Sequence, residues 1–246
     1  MSKTIGWDRR LAVSASGKNL VGHAGAVLLR ACADRSGLTG ALSAVMPSSD
    51  ANGWWDRGIT LVQTAVAIVL GAVNLSDVER LWLQQVAVFG APASDSTIHR
   101  TLQQFEDHLL AKVARAQARA RRHVWGLLHL RPGGFPWLVV AGKRLTGWIV
   151  IDIDATLIGC RSDKQGAAVT FKKGFGHHPL AAWCVNTTES LAMLLRPGNA
   201  GSNTVADHLT VSAEALRQIP AHRPPRFWCG STVPEPPMTC WNTWRG

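Results

Sequence analysis

The most constraining feature of this chain is an apolar, β-branched run with two aspartates inside it. Residues 148–158 read WIVIDIDATLI, in which Ile151 and Ile153 are typical of a strand. Because side chains two positions apart lie on the same face of a strand, Asp152 and Asp154 share one face. Carboxylates there cost free energy unless they are hydrogen-bonded, paired or bound to metal. The run therefore predicts either a ligand-binding pair or an edge strand whose wet face carries both aspartates.

More strands and a helix are predicted downstream of this run. The predicted strands are residues 167–171, 179–185 and 191–195. Between the first two lies a basic, glycine-bearing turn, KKGFGHH, at residues 172–178. After the segment RPGNAG, Ser202 or Asn203 can cap a helix over residues 204–218. A carboxylate-bearing strand, further strands and then a helix form the opening half of an RNase H-like sheet.

Three segments in this order carry a family resemblance. IDIDATLIG, TFKKGFGHHPL and LRPGNAGSNTVADHL closely resemble DDE transposases of bacterial insertion sequences, in the group with an RNase H-like catalytic core. The similarity covers most of residues 20–220. The resemblance implies an α+β chain, with a helical amino-terminal DNA-binding region followed by the first half of an RNase H-like mixed α/β core at residues 148–220. In that core we expect the aspartate strand at the centre of a mixed sheet, flanked by the strands at residues 179–185 and 191–195.

The resemblance also implies a metal-dependent reaction. Members of this family use three carboxylates to hold two divalent metal ions, usually Mg²⁺ and alternatively Mn²⁺, for phosphodiester cleavage and strand transfer at transposon ends. The sequence DATL matches the family's first carboxylate best at Asp154, and Asp152 is either a supporting neighbour or the ligand itself. We therefore expect Asp154 and Asp152 to be the catalytic, metal-binding residues. By the same analogy Lys172, Lys173 and His178 face the DNA, with a hydrogen-bonded turn histidine as the alternative for His178.

The amino-terminal part is predicted to be helical. Residues 1–19 are polar and expected to be a flexible terminus, and residues 20–130 hold the helices. Ser76 is predicted to cap one helix and Ser94 the next, with the turn FGAP between them. The second helix carries side chains of the kind that recognition helices use against bases and phosphates, namely Thr97, His99 and Arg100. The two helices resemble a helix-turn-helix, with a capped surface helix as the alternative.

A long helix over residues 106–130 is predicted to have a basic middle. Its cationic residues include Lys112, Arg115, Arg119, Arg121 and Arg122. A solvated helix face is one interpretation. We favour a helix that contacts phosphates, because the net charge of +10 and the pI near 10.1 indicate a polyanionic partner. Residues 131–147 are expected to form a linker and a hairpin, in which residues 137–141 pair with residues 148–153.

The cysteines and the apolar segments bear on where the protein works. Five scattered cysteines form no CxxC pair, which predicts reduced thiols in a cytoplasm. Residues 1–20 lack the apolar core of a signal peptide. Residues 59–73 are apolar but too short to span a bilayer comfortably, so a buried helix is predicted there.

The family resemblance adds expectations about location and partners. We expect a bacterial cytoplasmic protein that is nucleoid-associated when it is bound to DNA. Its partner is expected to be the terminal inverted repeats of its own element. A homodimer is an open alternative, and no membrane is expected to take part.

Residues 221–246 break the pattern, because they are rich in Pro, Trp and Cys and follow neither the strand nor the helix period. They are expected to be irregular. A disordered tail is one explanation, although such tails are seldom rich in tryptophan. The other explanation is a change of reading frame. With GC-rich codons, reading from Arg226 in a frame shifted by two bases gives VLVRVDGAGATHDVLEHLAG.

The shifted sequence supplies what an RNase H-like core needs next. It contains an apolar strand that ends in an aspartate, then a glycine turn and an amphipathic helix. In the protein sequence itself, Ser231 and Thr232 stand where the shifted frame has this aspartate. We therefore expect a truncated chain with an incomplete metal site and no catalytic activity.

Two further functions are compatible with the sequence. One is a non-catalytic DNA-binding protein or repressor derived from a transposase, which binds terminal repeats without cleaving them. The other is a structural or interaction protein whose aspartates are merely surface groups. Salt-dependent DNA binding separates the second function from the transposase interpretation.

Overall fold

The chain is divided into two compact units, Met1–Val124 and Trp125–Gly246. The computed structural model describes residues 22–47, 55–84, 86, 90–160, 164–201 and 204–220, and it describes residues 226–231 as a backbone strand. In this part of the chain the first unit is helical and the second holds all the strands. This arrangement confirms the α+β class. Among the described helices, none is both long enough and apolar enough to cross a lipid bilayer.

Helices with buried inner faces build the first unit. They are α1 (Ala26–Arg35), α2 (Leu38–Val45), α3 (Arg57–Val69), α4 (Leu75–Gln84), α5 (Asp95–Leu102) and α6 (Asp107–Leu130), of which the residues from Trp125 onward belong to the second unit. Val62 and Val66 of α3, Trp82 of α4, Ile98 of α5 and Ala116 of α6 are buried in one hydrophobic cluster. Burial of these apolar side chains, rather than helix propensity, stabilises helices as short as α2 and α5.

Helix α3 is the buried helix that the apolar run predicts. It begins after Asp56, whose Oδ1 accepts a hydrogen bond from the backbone N–H of Ile59 at 3.0 Å and one from the hydroxyl of Ser43 at 2.7 Å. The second bond fixes α2 against the start of α3. At Gly58 the two helices approach so closely that a Cβ would lie 2.2 Å from the backbone nitrogen of Ser43.

The capping predictions for α4 and α5 have different outcomes. Ser94 is the N-cap of α5, as predicted, and its hydroxyl accepts the N–H of Thr97 at 3.3 Å. The prediction of Ser76 as a cap is wrong, because α4 begins at Leu75, so that Ser76 lies inside the helix. The capping bond comes from Asn74, whose Oδ1 accepts the N–H of Asp77 at 2.9 Å. Asn and Ser are comparable caps, so sequence alone could not decide between these neighbours. The predicted carboxyl end of this helix, near residue 88, lies outside the described residues.

Nine strands and one further helix make up the described part of the second unit. They are β1 (Val139–Val140), β2 (Lys143–Arg144), β3 (Trp148–Ala155), β4 (Ile158–Gly159), β5 (Ala168–Val169), β6 (Phe175–His177), β7 (Leu180–Cys184), β8 (Glu189–Leu194), α7 (Val205–Gln218) and β9 (Arg226–Ser231). The strands form a two-stranded sheet β1-β2, a four-stranded sheet β8-β7-β3-β9 and a three-stranded sheet β4-β6-β5.

The predicted pairing of residues 137–141 with the aspartate strand is wrong. Val139 and Val140 instead pair with Arg144 and Lys143, in a tight hairpin that leaves β3 free for other partners. The two residues of its turn, Ala141 and Gly142, both have positive φ angles of 47° and 75°. Such turns match the natural twist of a hairpin and so favour the short local pairing.

Strand β3 lies at the centre of the four-stranded sheet. It is antiparallel to β7 and parallel to β9, and β7 is antiparallel to β8. We predicted that the strand at residues 191–195 would flank β3, and this is wrong. Strand β8 forms a hairpin with β7 and therefore occupies the far side of β7.

Strand β9 occupies the other side of β3. The prediction that residues 221–246 are irregular is therefore wrong for Arg226–Ser231. The segment RFWCGS begins with residues of good strand propensity, and it pairs with β3 over six positions, from Trp148↔Arg226 to Ile153↔Ser231. Helix α7 precedes it, so β8, α7 and β9 follow one another along the chain. Pairing across the fold, which a local pattern does not reveal, makes this segment a strand.

One face of the four-stranded sheet is buried. Ile151 and Ile153 of β3 lie in a cluster with Val211 and Ala215 of α7. Trp125 joins the same cluster, and its indole N–H donates to Glu189 Oε1 at 2.7 Å. Because side chains alternate along β3, this packing leaves both aspartates on the opposite face.

Replacing Gly58 by alanine should destabilise the first unit, because the new methyl group would force α3 away from α2. We expect a loss of about 1–3 kcal/mol in the free energy of unfolding, measured by urea denaturation. Gly40→Ala in α2 is the matched control, because a Cβ there meets nothing within 4 Å. That control should be neutral or stabilising by up to about 1 kcal/mol. Equal stability of the two variants would contradict the close approach of α2 and α3.

Candidate functional site

Asp152 and Asp154 lie on the open face of the central strand. Asp152 is half-buried and is the register partner of Trp183 on β7 and of Gly230 on β9. Asp154 is exposed and pairs with Ala181; its Oδ1 accepts the N–H of the next residue at 2.9 Å. The shared face was predicted correctly. The alternative of an edge strand does not apply, because β3 has a neighbour on both sides.

The two parallel strands end at the same edge of the sheet. Ser231, the last residue of β9, is the register partner of Ile153, one residue before Asp154. The backbone at the end of β9 therefore lies next to Asp154. The place at which the shifted frame supplies an aspartate is this end of β9, although Thr232 itself lies outside the described residues.

The carboxylates suit a hard divalent cation but do not complete a two-metal site. Carboxylate oxygens are the ligands that Mg²⁺ and Mn²⁺ prefer. Two such ions held together need more oxygen donors than one pair of aspartates offers. In the residues that the structure describes, no group of three or more His, Cys, Asp or Glu side chains is placed to hold a metal. The donor set among the described residues is therefore partial.

Lys172 and Lys173 lie together in the turn between β5 and β6, and both are exposed. The turn is closed by Thr170, whose N–H donates to the carbonyl of Gly174 at 2.8 Å and whose hydroxyl accepts the N–H of Gly174 at 3.2 Å. Lys173 has a φ of 61°, in the left-handed region. The ammonium of Lys172 lies 5.7 Å from the ring centroid of Phe171. Both lysines are thus presented to solvent by an ordered turn.

His178 is buried, with only 3% of its surface exposed. Its Nδ1 lies 2.9 Å from the carbonyl oxygen of Ala200, and its backbone N–H donates to the carbonyl of Arg196 at 3.1 Å. These contacts match the hydrogen-bonded turn histidine that was the alternative for this residue. A ring so enclosed does not reach DNA, so the expected DNA contact of His178 is not supported.

Arg196 is a buried arginine that the sequence did not single out. It is 3% exposed, and its guanidinium donates to three acceptors, the carbonyl oxygens of His178 and Gly201 at 2.9 Å each and Asp207 Oδ2 at 3.2 Å. It thereby ties the loop after β8 to the first turn of α7 and to His178, which directly follows β6. The sequence does contain a signal for this role, because the arginine ends an apolar run and is followed by Pro-Gly. A charge at the edge of the core needs hydrogen-bond partners.

Asn186 is a second buried polar residue that the sequence did not single out. Its side-chain oxygen accepts the N–H of Val150 at 2.9 Å, and its amide donates to the carbonyl of Trp148 at 3.2 Å. These bonds fix the turn between β7 and β8 against the beginning of β3. They contribute to the register that brings Asp152 opposite Trp183.

The residues predicted to recognise DNA on α5 differ in whether their side chains are exposed to a ligand. His99 and Arg100 are exposed, although Arg100 Nε also donates to the carbonyl of Ser96 at 3.2 Å. Thr97 is half-buried, and its hydroxyl lies 2.9 Å from the hydroxyl of Ser94. The Thr97 hydroxyl therefore takes part in the helix cap, which leaves His99 and Arg100 as the better placed pair.

Helix α6 presents three of its arginines as an exposed stripe. Arg115, Arg119 and Arg122 are spaced by four and three residues, so they lie on one face of the helix. Ala116 and Ala120 are buried on the opposite side. Within the described residues, none of the three arginines is in an ion pair. The three charges are therefore available to a polyanion.

Paired carboxylates on an open sheet face, in a strongly basic chain, are features of an α+β protein that acts on nucleic acid. Residues 3–240 match the family model described as transposase DDE domain group 1. The chain belongs to this transposase family. The matched range includes most of the segment from residue 221 onward. No curated protein and no solved structure matches the chain.

The free energy of unfolding should depend on the three hydrogen bonds of the buried Arg196 guanidinium (the fork), even when the positive charge is kept. Lysine cannot reach three acceptors at once, so Arg196→Lys should lower the free energy of unfolding by about 2–4 kcal/mol, measured by thermal and urea denaturation. Arg217→Lys is the matched control on α7, because Arg217 pairs with Glu214 at the surface. The control should change stability by less than about 0.5 kcal/mol. A neutral Arg196→Lys would show that the fork does not hold the loop.

Proposed function

We propose that this chain is a DNA-binding transposase polypeptide in which β3 carries the family's first metal-binding carboxylate. The complete reaction of the family, metal-dependent phosphodiester cleavage and strand transfer at the ends of a transposable element, would use Asp154 as a ligand for Mg²⁺ or Mn²⁺. Asp152 is a supporting neighbour or a second ligand. The observation that carries this proposal is the position of both aspartates on the open face of a central strand, in a chain of the DDE transposase family.

The sheet topology supports an RNase H-like interpretation of residues 148–220 together with β9. The first three strands of such a core form an antiparallel meander, and a helix then leads to a fourth strand parallel to the first. The order β8-β7-β3-β9, with α7 before β9, has this form. In this arrangement the first strand carries one carboxylate and the end of the fourth strand carries the next. Asp154 and the end of β9 are proposed to correspond to those two positions.

DNA binding is assigned to basic surfaces of both units. On α6 the exposed stripe of Arg115, Arg119 and Arg122 would contact phosphates and position the duplex without reading its sequence. On α5 the exposed His99 and Arg100 are proposed to contact DNA, with Thr97 as a weaker candidate because its hydroxyl belongs to the cap. The lysines of the β5–β6 turn are proposed to contact DNA as well. The proposed ligand is the terminal inverted repeat of the element.

A non-catalytic role for this particular polypeptide has a specific observation in its favour. The described residues do not bring together three metal-binding side chains. The chain has Ser231 and Thr232 where the shifted frame supplies an aspartate. We therefore propose that the polypeptide binds element ends without cleaving them, as a repressor derived from a transposase would. The shifted frame is proposed as the origin of this difference.

The arginine stripe should account for much of the salt dependence of DNA binding. Substituting Arg115, Arg119 and Arg122 by alanine together should flatten the slope of log K against log[salt] by about 2–3, because each phosphate contact contributes about 0.9. Fluorescence anisotropy with a duplex of the element's end measures this slope. A control with the same charge change replaces Arg80, Lys143 and Arg217, which are all exposed. Equal slopes in the two triple variants would remove the stripe from the interface.

The 246-residue chain is expected to show no Mg²⁺-dependent nicking of its element's ends, because its described residues bring no three metal-binding side chains together. Restoring the shifted frame through the downstream sequence should bring back nicking, which Asp154→Ala then abolishes. Gel analysis of end-labelled DNA with Mg²⁺, Mn²⁺ or EDTA provides the measurement. Sequencing the coding DNA around codon 226 is the companion test. Metal-dependent nicking by the unmodified chain that disappears with Asp154→Ala would contradict the proposed loss of catalysis.

A further inference from the structure

The β5–β6 hairpin exposes a group of apolar side chains at its tip. Phe171 is 69% exposed, Val169 64% and Phe175 40%. Val169 and Phe175 are register partners, so they lie side by side on one face of the hairpin. Exposed apolar groups that cluster in this way, with polar residues around them, indicate a binding surface.

The ring of Phe171 has an ordered support. Its centroid lies 5.6 Å from that of His178, which is buried and bonded to the carbonyl of Ala200. Arg196 donates to the carbonyl of His178 and is itself bonded to Asp207 on α7. Together with the hydrogen bonds of Thr170 that close the turn, the contact with His178 restricts the positions that the ring can take before any ligand arrives. A pre-positioned aromatic ring loses little conformational entropy on binding.

The charge around the ring indicates the chemistry of the ligand. Lys164, Lys172 and Lys173 belong to the hairpin segment, and residues 164–178 contain no Asp or Glu. The Lys172 ammonium lies over the ring of Phe171, 5.7 Å from its centroid, so a base that stacks on this face would displace the ammonium toward a neighbouring phosphate. Aromatic rings interleaved with basic side chains are typical of surfaces that bind single-stranded nucleic acid. Bases in a duplex have their faces covered by their neighbours, whereas an unpaired base has a face to offer.

We propose that the β5–β6 hairpin binds unpaired nucleotides, with Phe171 stacked on a base and with Lys172 and Lys173 on the flanking phosphates. His178 and Arg196 act as positioning residues for the ring. This inference rests on the proposed DNA-binding function and adds a substrate preference to it: DNA with an unpaired end is bound more tightly than the same DNA with a blunt end.

The test compares two DNA probes with the 246-residue chain. One probe is a blunt duplex, and the other is the same duplex with a short unpaired tail that carries 2-aminopurine. The chain should bind the tailed probe about tenfold more tightly, the size expected for stacking on one base. Stacking should also quench the 2-aminopurine fluorescence.

Variants of Phe171 separate stacking from general apolar contact. Phe171→Trp keeps a flat aromatic face and should retain both the tail preference and the quenching. Phe171→Leu keeps an apolar side chain without a ring and should lose both, as should Phe171→Ala. All three should bind the blunt duplex like the parent chain and keep its unfolding midpoint. Replacing Lys172 and Lys173 by glutamine should lower the salt dependence of binding to the tailed probe.

Other outcomes overturn the inference in distinguishable ways. If Phe171→Leu keeps the tail preference and the quenching, the ring does not stack on a base. Concentration-dependent self-association that Phe171→Ala abolishes, without any tail preference, would assign the hairpin to a second copy of the chain. Binding to the blunt duplex with no preference for a tail overturns this inference alone. Absence of binding to both probes overturns the proposed DNA-binding function as well.

Discussion

The pairing of β3 with neighbours on both sides is the constraint on which the second unit depends. Strand β7 fixes one side by antiparallel pairing and β9 fixes the other by parallel pairing. Because the backbone of β3 is hydrogen-bonded on both sides, the remaining difference is which face of the strand is buried and which is open. Ile151 and Ile153 go to the side that α7 covers, and Asp152 and Asp154 are left on the other. A slip of one residue would bury both carboxylates, so the hydrophobic face and the carboxylate face specify the register together.

Buried polar residues hold this arrangement at its ends. Asn186 bonds to the backbone where β3 begins, and Arg196 joins His178, the loop after β8 and the start of α7. Each makes several hydrogen bonds to groups that would otherwise be buried without partners, which is costly. The carboxylate face and the basic hairpin are thus both parts of a scaffold fixed by polar contacts. Because the chain belongs to the DDE transposase family, this scaffold is the one on which we propose a metal-binding carboxylate and a DNA contact.

The sequence predicted the parts that local chemistry determines. The β-branched run of β3, the apolar helix α3 and the Ser94 cap follow from spacing and side-chain type, and all are found. The position of β8 and the existence of β9 depend on which strands meet across the fold, and no local period reveals this. The burial of His178 and the role of Arg196 likewise depend on groups distant in sequence. The family resemblance grouped Lys172, Lys173 and His178 as residues that face DNA, and it could not reveal that the lysines are exposed whereas the histidine is buried.

Amide hydrogen exchange along Trp148–Ala155 tests whether the aspartates lie on an interior strand. Successive amides of a strand point to opposite neighbours, so an interior strand protects all of them, whereas an edge strand protects every second one. We expect slow exchange at the amides that face β9 as well as at those that face β7. Fast exchange at the β9-facing amides would make β3 an edge strand and would contradict the proposed relation of Asp154 to the end of β9.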